Sequence, residues 1–124
     1  MRLLVCGGRD FGNNNKECWL VLEQISAVTR SVPIHEPIVI IHGGAKGVDK
    51  AAGMWAEEFC ECLIYPANWN NYGSAAGPIR NQQMLDEGKP DKVLAINGGR
   101  GTADMVRRAK KAGIPVIEVR YHPS

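Results

Sequence analysis

Val93-Leu94-Ala95-Ile96-Asn97-Gly98-Gly99-Arg100-Gly101-Thr102-Ala103-Asp104 runs from an apolar tetrapeptide through a glycine-rich turn into a segment of helical spacing. A strand that ends in glycines and continues as a helix is the junction of a parallel α/β unit. Small residues there let the backbone come close to a ligand, and the helix start offers unpaired N–H groups at its positive dipole end. The same junction occurs twice more. His42-Gly43-Gly44-Ala45-Lys46-Gly47-Val48-Asp49 follows Ile38-Val39-Ile40-Ile41, and Cys6-Gly7-Gly8-Arg9-Asp10 follows Arg2-Leu3-Leu4-Val5.

Working outward, short apolar runs at 2–6, 38–42, 62–65, 92–96 and 115–119 predict five strands. Between them, helical spacing predicts helices from Asn15 to Arg30, Val48 to Cys60, Pro78 to Glu87 and Thr102 to Ala112, with Gly113 as a stop before Pro115. Trp19 and Trp55 fall at helical spacing with other apolar residues and are assigned to the core. Strands alternating with helices require parallel pairing through right-handed crossovers. The expected fold is therefore α/β: a Rossmann-like three-layer sandwich with a mainly parallel five-stranded sheet, in a single domain over 1–124. In such sheets ligands bind beyond the C-terminal strand ends, and all three glycine turns lie there.

Composition narrows the function. A chain of 124 residues, 44% hydrophobic and 23% charged, fits one ordinary globular domain. A formal net charge of +2 argues against a protein that lives by wrapping nucleic acid. Arg107, Arg108, Lys110 and Lys111 crowd one helix, either as a solvated face or as a local basic patch. No apolar run approaches the ~18 residues of a membrane span, and the N-terminus reads into a strand rather than a signal peptide, so a cytoplasmic location without a membrane partner is expected. Of the four cysteines, Cys6 ends a buried strand, Cys18 lies on a helix, and Cys60-Glu61-Cys62 is a C-x-C rather than a C-x-x-C pair. No metal-ligand set and no cofactor follow from spacing.

Several polar and aromatic residues gather around the turns. Lys46 is the charged side chain among the glycines of the second turn, placed to add its ammonium to a phosphate. Asp49 begins the next helix, either as a first-turn acid that shapes the loop or as an acceptor for ribose hydroxyls. Arg9 and Arg80 are candidate phosphate clamps, and Arg80 is followed by the polar Asn81. The stretch Pro66 to Gly77 reads as a long loop lying over the strand ends, where Trp69 and Tyr72 either stack on a base or anchor the loop. Neither G-x-x-x-x-G-K-[ST] nor G-x-G-x-x-G is present, so ATP hydrolysis and NAD-dependent hydride transfer lose support.

These motifs, in this order, resemble the SLOG superfamily, the Rossmann-like group that joins DNA-processing protein A (Smf) to the LOG phosphoribohydrolases, and within it the small YspA-related branch. The resemblance rests on Gly7-Gly8-Arg9-Asp10-Phe11, on Gly43-Gly44-Ala45-Lys46-Gly47-Val48-Asp49, on Trp69 with Gly77, Arg80, Asn81 and Met84, and on Gly98-Gly99-Arg100-Gly101-Thr102. It implies binding of a phosphate-containing nucleotide or nucleotide-derived ligand, ADP-ribose-like or a signalling nucleotide, at the C-terminal edge of the sheet. The expected ligand shell comprises Gly7, Gly8, Arg9, Gly43, Gly44, Ala45, Lys46, Gly47 and Asp49 from the first two turns. Trp69, Tyr72, Arg80, Asn81, Gly98, Gly99, Gly101 and Thr102 complete it.

LOG enzymes carry Pro-Gly-Gly-x-Gly-Thr-x-x-Glu, and here Asn97 replaces the proline while Met105 takes the place of the glutamate. The resemblance therefore implies, as an alternative, a phosphoribohydrolase in which Arg80 and Asp104 are the catalytic candidates. On a helix, however, the one-residue shift to Asp104 rotates a side chain by about 100°. A second alternative, from the likeness to DNA-processing protein A, is single-stranded nucleic-acid binding. LOG-like relatives are commonly dimers, so a homodimer is a further expectation.

Overall fold

Because strands buried on both faces need apolar side chains in both directions, the continuous runs of this chain become the central strands of a parallel sheet. The computed structural model describes residues 1–122. It runs β1 (Arg2–Gly7), α1 (Asn15–Thr29), β2 (Val39–His42), α2 (Val48–Phe59), β3 (Glu61–Ile64), α3 (Trp69–Tyr72), a 3-10 turn (Gly73–Ala75), α4 (Ala76–Gly88), β4 (Lys92–Ile96), α5 (Arg100–Lys111) and β5 (Val116–Val119). The sheet order is β3-β2-β1-β4-β5, with every pairing parallel. The expected single α/β sandwich is thus observed.

Alternate residues divide between two cores. Leu3, Val5, Ile40, Leu94 and Ile96 face α1 and α2, where they meet Val21, Ile25 and Ala52. Leu4, Cys6, Ile41, Val93 and Ala95 face α4 and α5, where they meet Met84, Met105 and Ala109. Each large aliphatic side chain fully buried in this way contributes about 1.5–3 kcal/mol of transfer free energy. The first helix starts where local polar groups close its end. Asn14 accepts from the Glu17 N–H at 2.8 Å, and the Glu17 carboxylate accepts from the Gly12 N–H at 3.0 Å.

Two sequence expectations change. Trp19 is 61% exposed, because Val21, Ile25 and Thr29 take the inward stripe of α1 and leave it on the outer flank; Trp55 is buried as expected. The stretch from Pro66 to Gly77 is not one irregular loop. It holds α3 and the 3-10 turn, and α4 begins at Ala76, two residues ahead of Pro78. Proline is tolerated there because the first-turn N–H groups of a helix have no intrahelical acceptor to lose.

The chain winds outward from β1 through β2 to β3 and then returns to build β4 and β5 on the other side. The winding reverses between β1 and β4, so the crevice beyond Gly7 and Ile96 is the switch point where α/β sheets take ligands. No helix among the described residues is long and apolar enough to cross a membrane.

Candidate functional site

A cleft of about 390 Å³ opens at that switch point. Its floor comprises Cys6 and Gly7 at the end of β1. One wall is the turn from β4 into α5, contributing Gly99, Arg100, Gly101 and Thr102. The opposite wall is Ala45 and Asp49 of the β2–α2 turn, and Trp69, Gly77, Arg80, Asn81 and Met84 approach from α3 and α4. Arg9 and Asp10 close the rim. All three glycine turns therefore reach one cavity.

Arg80 is the strut of this arrangement. Its Nη1 donates to the Gly43 carbonyl at 2.7 Å and to the Tyr65 carbonyl at 3.4 Å, and its Nε donates to the Asn81 side chain at 3.2 Å. One guanidinium thereby ties α4 to the ends of both β2 and β3. Gly43 leaves the room this requires, since a Cβ there would collide with the Arg80 guanidinium. Asp49 shapes the loop from the other side by accepting from the Gly43 and Ala45 N–H groups, each at 3.2 Å. Burial pushes the Asp49 carboxyl up, against the lowering action of the Ala45 N–H, the Arg80 charge, the Gly43 N–H and the Arg9 charge. At Gly47 the backbone is left-handed, with φ of 81°, and it lies under the Gly8, Arg9 and Phe11 carbonyls of the β1–α1 loop.

Arg9 stands over the Trp69 ring, 5.4 Å from its centroid, and so places α3 across the mouth of the cleft. None of the ion pairs among the described residues engages Arg9, Arg100 or Asp10. Burial and then the Asp49 charge push the Cys6 thiol well above the ordinary range, which disfavours the thiolate.

The expected site residues divide. Gly7, Arg9, Ala45, Asp49, Trp69, Arg80, Asn81, Gly99, Gly101 and Thr102 line the cleft. Gly8, Gly43, Gly47 and Gly98 stand behind its surface, where they make the close approaches of the turns, and Gly44, Lys46 and Tyr72 are exposed outside it. Asp104 does not line the cleft. Its carboxylate accepts from Arg107 at 2.6 Å, from Arg108 at 2.8 Å and from Asn81 at 3.0 Å, while Met105 is fully buried. Asp10 and Arg100 were not picked out from the sequence. A signal for Arg100 was present, because Gly-Gly-Arg ends both β1 and β4, at 7–9 and at 98–100.

His42 governs the second turn from within. Its Nδ1 accepts from the Gly44 N–H at 3.0 Å, which puts the ring hydrogen on Nε2, buried against Gly53 of α2 without a hydrogen-bond partner. Burial, with a smaller contribution from Arg80, lowers its pKa below the ordinary 6.5. The folded state therefore binds fewer protons than the unfolded chain. This site's contribution to stability is complete above 6.5 and declines as pH falls below that value. Thermal unfolding is expected to show a melting temperature that drops between about pH 7 and about pH 5, with a shallower drop in His42→Gln. Equal slopes for the two proteins would remove His42 as the cause.

Residues 1–72 match the sequence profile of YAcAr, described as the YspA, cpYpsA-related SLOG family. The chain belongs to this SLOG family. The matched span takes in β1 to β3, the first two glycine turns and Trp69; the β4–α5 turn and Arg80 of this SLOG protein lie beyond it. The Gene 61 protein of Mycobacterium phage D29 is 42% identical over 94 residues, covering 69% of this chain and 74% of the relative.

Proposed function

We propose that this SLOG protein binds a nucleotide or nucleotide-derived ligand, with a phosphate seated on the β4–α5 turn. The observation that carries the reading is the bare backbone at Gly99 and Gly101. Both line the cleft, both lack a positive φ, and a Cβ at either would meet no atom within 4 Å. The fold gives no steric reason for glycine at these positions, whereas an anion approaching the N–H groups at a helix start does. Arg9 and Arg100 supply the charge, Thr102 a hydroxyl, and Trp69 with Met84 an apolar surface for the attached nucleoside.

Binding is better supported than hydrolysis of an N-glycosidic bond. That reaction requires a group at the ribose that stabilises developing positive charge or activates water. The one candidate carboxylate of α5, Asp104, is committed to Arg107, Arg108 and Asn81 outside the cleft.

The test is Gly99→Leu. Nothing inside the protein opposes the new side chain, so the melting temperature without ligand should stay unchanged. Ribonucleotides that raise the melting temperature of the parent protein should bind at least about tenfold more weakly, about 1.4 kcal/mol. Undiminished affinity in Gly99→Leu would overturn this placement of the phosphate.

A further inference from the structure

A second cavity, of about 610 Å³, lies on the far side of the β1–α1 loop. It is lined by Phe11, Leu20 and Tyr121 together with Lys16 and Asn97. Each cavity falls within the ~300–1,000 Å³ typical of small-molecule sites. They meet at one residue, since Asp10 forms part of the wall of both. We infer that the ligand of this protein is two-sided: a dinucleotide whose phosphates lie in the cleft and whose second nucleoside crosses Asp10 into the neighbouring cavity. The inference rests on the reading of the cleft given above and extends it to the class of ligand.

The chemistry differs on the two sides. The cleft sets Arg9, Arg80 and Arg100 against Asp10 and Asp49, a net positive lining beside the open Gly99–Gly101 backbone. The second cavity has an aromatic wall, made by Phe11 and Tyr121 stacked with centroids 5.5 Å apart and planes inclined by 4°. That wall is pinned rather than adaptable. Asn97, with φ of 43°, donates to the Tyr121 carbonyl at 2.7 Å and accepts from the Tyr121 N–H at 2.6 Å, while the Tyr121 hydroxyl accepts from Gln24 at 2.8 Å. A rigid aromatic surface beside an aliphatic side chain suits a flat heterocycle.

Asp10 gives the connection its direction. A free carboxylate at the rim of a phosphate cleft repels the phosphate, and no ion pair among the described residues quenches it. The same carboxylate is well suited to accept hydrogen bonds from vicinal ribose hydroxyls, as acidic residues do in dinucleotide sites. A ribose lying between the phosphates and a base on the aromatic wall puts those hydroxyls at the junction of the two cavities. One unfavourable charge for a mononucleotide thus becomes a favourable contact for a dinucleotide.

The experiment compares ribonucleoside monophosphates with the matching pyrophosphate-bridged dinucleotides by isothermal titration, on the parent protein, Asp10→Asn and Leu20→Trp. The parent should bind the best dinucleotide at least about tenfold more tightly than its monophosphate. Asp10→Asn should weaken the dinucleotide severalfold while tightening the monophosphate, because repulsion is relieved. Leu20→Trp, which fills the second cavity, should bring the dinucleotide down to the affinity of the monophosphate. Should Leu20→Trp fail to fold, the opposed responses of Asp10→Asn decide the matter. A parent protein that binds monophosphates and dinucleotides alike, or an Asp10→Asn variant that affects both equally, overturns the two-sided ligand and leaves the cleft intact. Binding of none of the probes overturns the cleft as well.

Discussion

Gly7→Ala is expected to destabilise the protein by about 3 kcal/mol or more, enough to leave a large unfolded fraction at ambient temperature. Gly7 ends β1 directly opposite Ile96 of β4. A Cβ there would collide with the Ile96 carbonyl oxygen and come within 2.6 Å of Val48 Cγ2 and 2.8 Å of Val48 Cβ. Neither neighbour can yield cheaply. The Ile96 carbonyl accepts the Gly8 N–H at 3.1 Å, and Val48 is fully buried in the first core. Relief requires separating β1 from β4 at the centre of the sheet. Urea denaturation reads the effect, with Gly101→Ala as the contrast. That residue has open space around its Cβ position in the first turn of α5, so alanine there should be neutral or stabilising by up to about 1 kcal/mol. A Gly7→Ala protein with the parent's midpoint would refute the close packing of β1, β4 and α2.

Asp104→Ala is expected to lose about 2 kcal/mol, chiefly by leaving the Arg108 and Asn81 donors without their acceptor. Arg107 is 71% exposed on its side chain and adds little, whereas Arg108 is 31% and Asp104 12% exposed. Asp104→Asn retains an acceptor oxygen and should lose less. Partial burial raises the Asp104 pKa, but hydrogen bonds from Arg108 and Asn81 and the charges of Arg108 and Arg107 outweigh it. The result lies below the ordinary 3.8. A depressed folded-state pKa gives stability that is complete above 3.8 and lost as pH falls through the folded value. Denaturation curves of the parent and Asp104→Ala should therefore converge in strong acid. A residue serving ribose chemistry would instead lose turnover with its melting temperature unchanged, and that pattern would restore the hydrolase reading.

The strands were legible because burial on both faces leaves runs such as Val93 to Ile96 with no polar interruption, and the glycine turns mark where each run ends. What the turns would contact was legible only in part. Arg9 and Arg80 stand out as arginines among small and polar residues, yet the partners of Arg80 are main-chain carbonyls of Gly43 and Tyr65, which have no side-chain signature. Trp19 satisfies helical spacing as well as Trp55 does, and only the position of α1 against the sheet decides which of them is covered. Asp10 follows Arg9 in sequence and reads as an incidental neighbour until two cavities are seen to share it.

Helix α3 has no buried residue, while the floor beneath it is made of strands with fully buried side chains. Local opening free energy follows such burial, so amide hydrogens of residues 69–72 should exchange with solvent far sooner than those of β1 and β4. Substitutions in this roof would then alter how fast a guest enters and departs while leaving the platform it rests on intact, so residence time and seat geometry are separately adjustable.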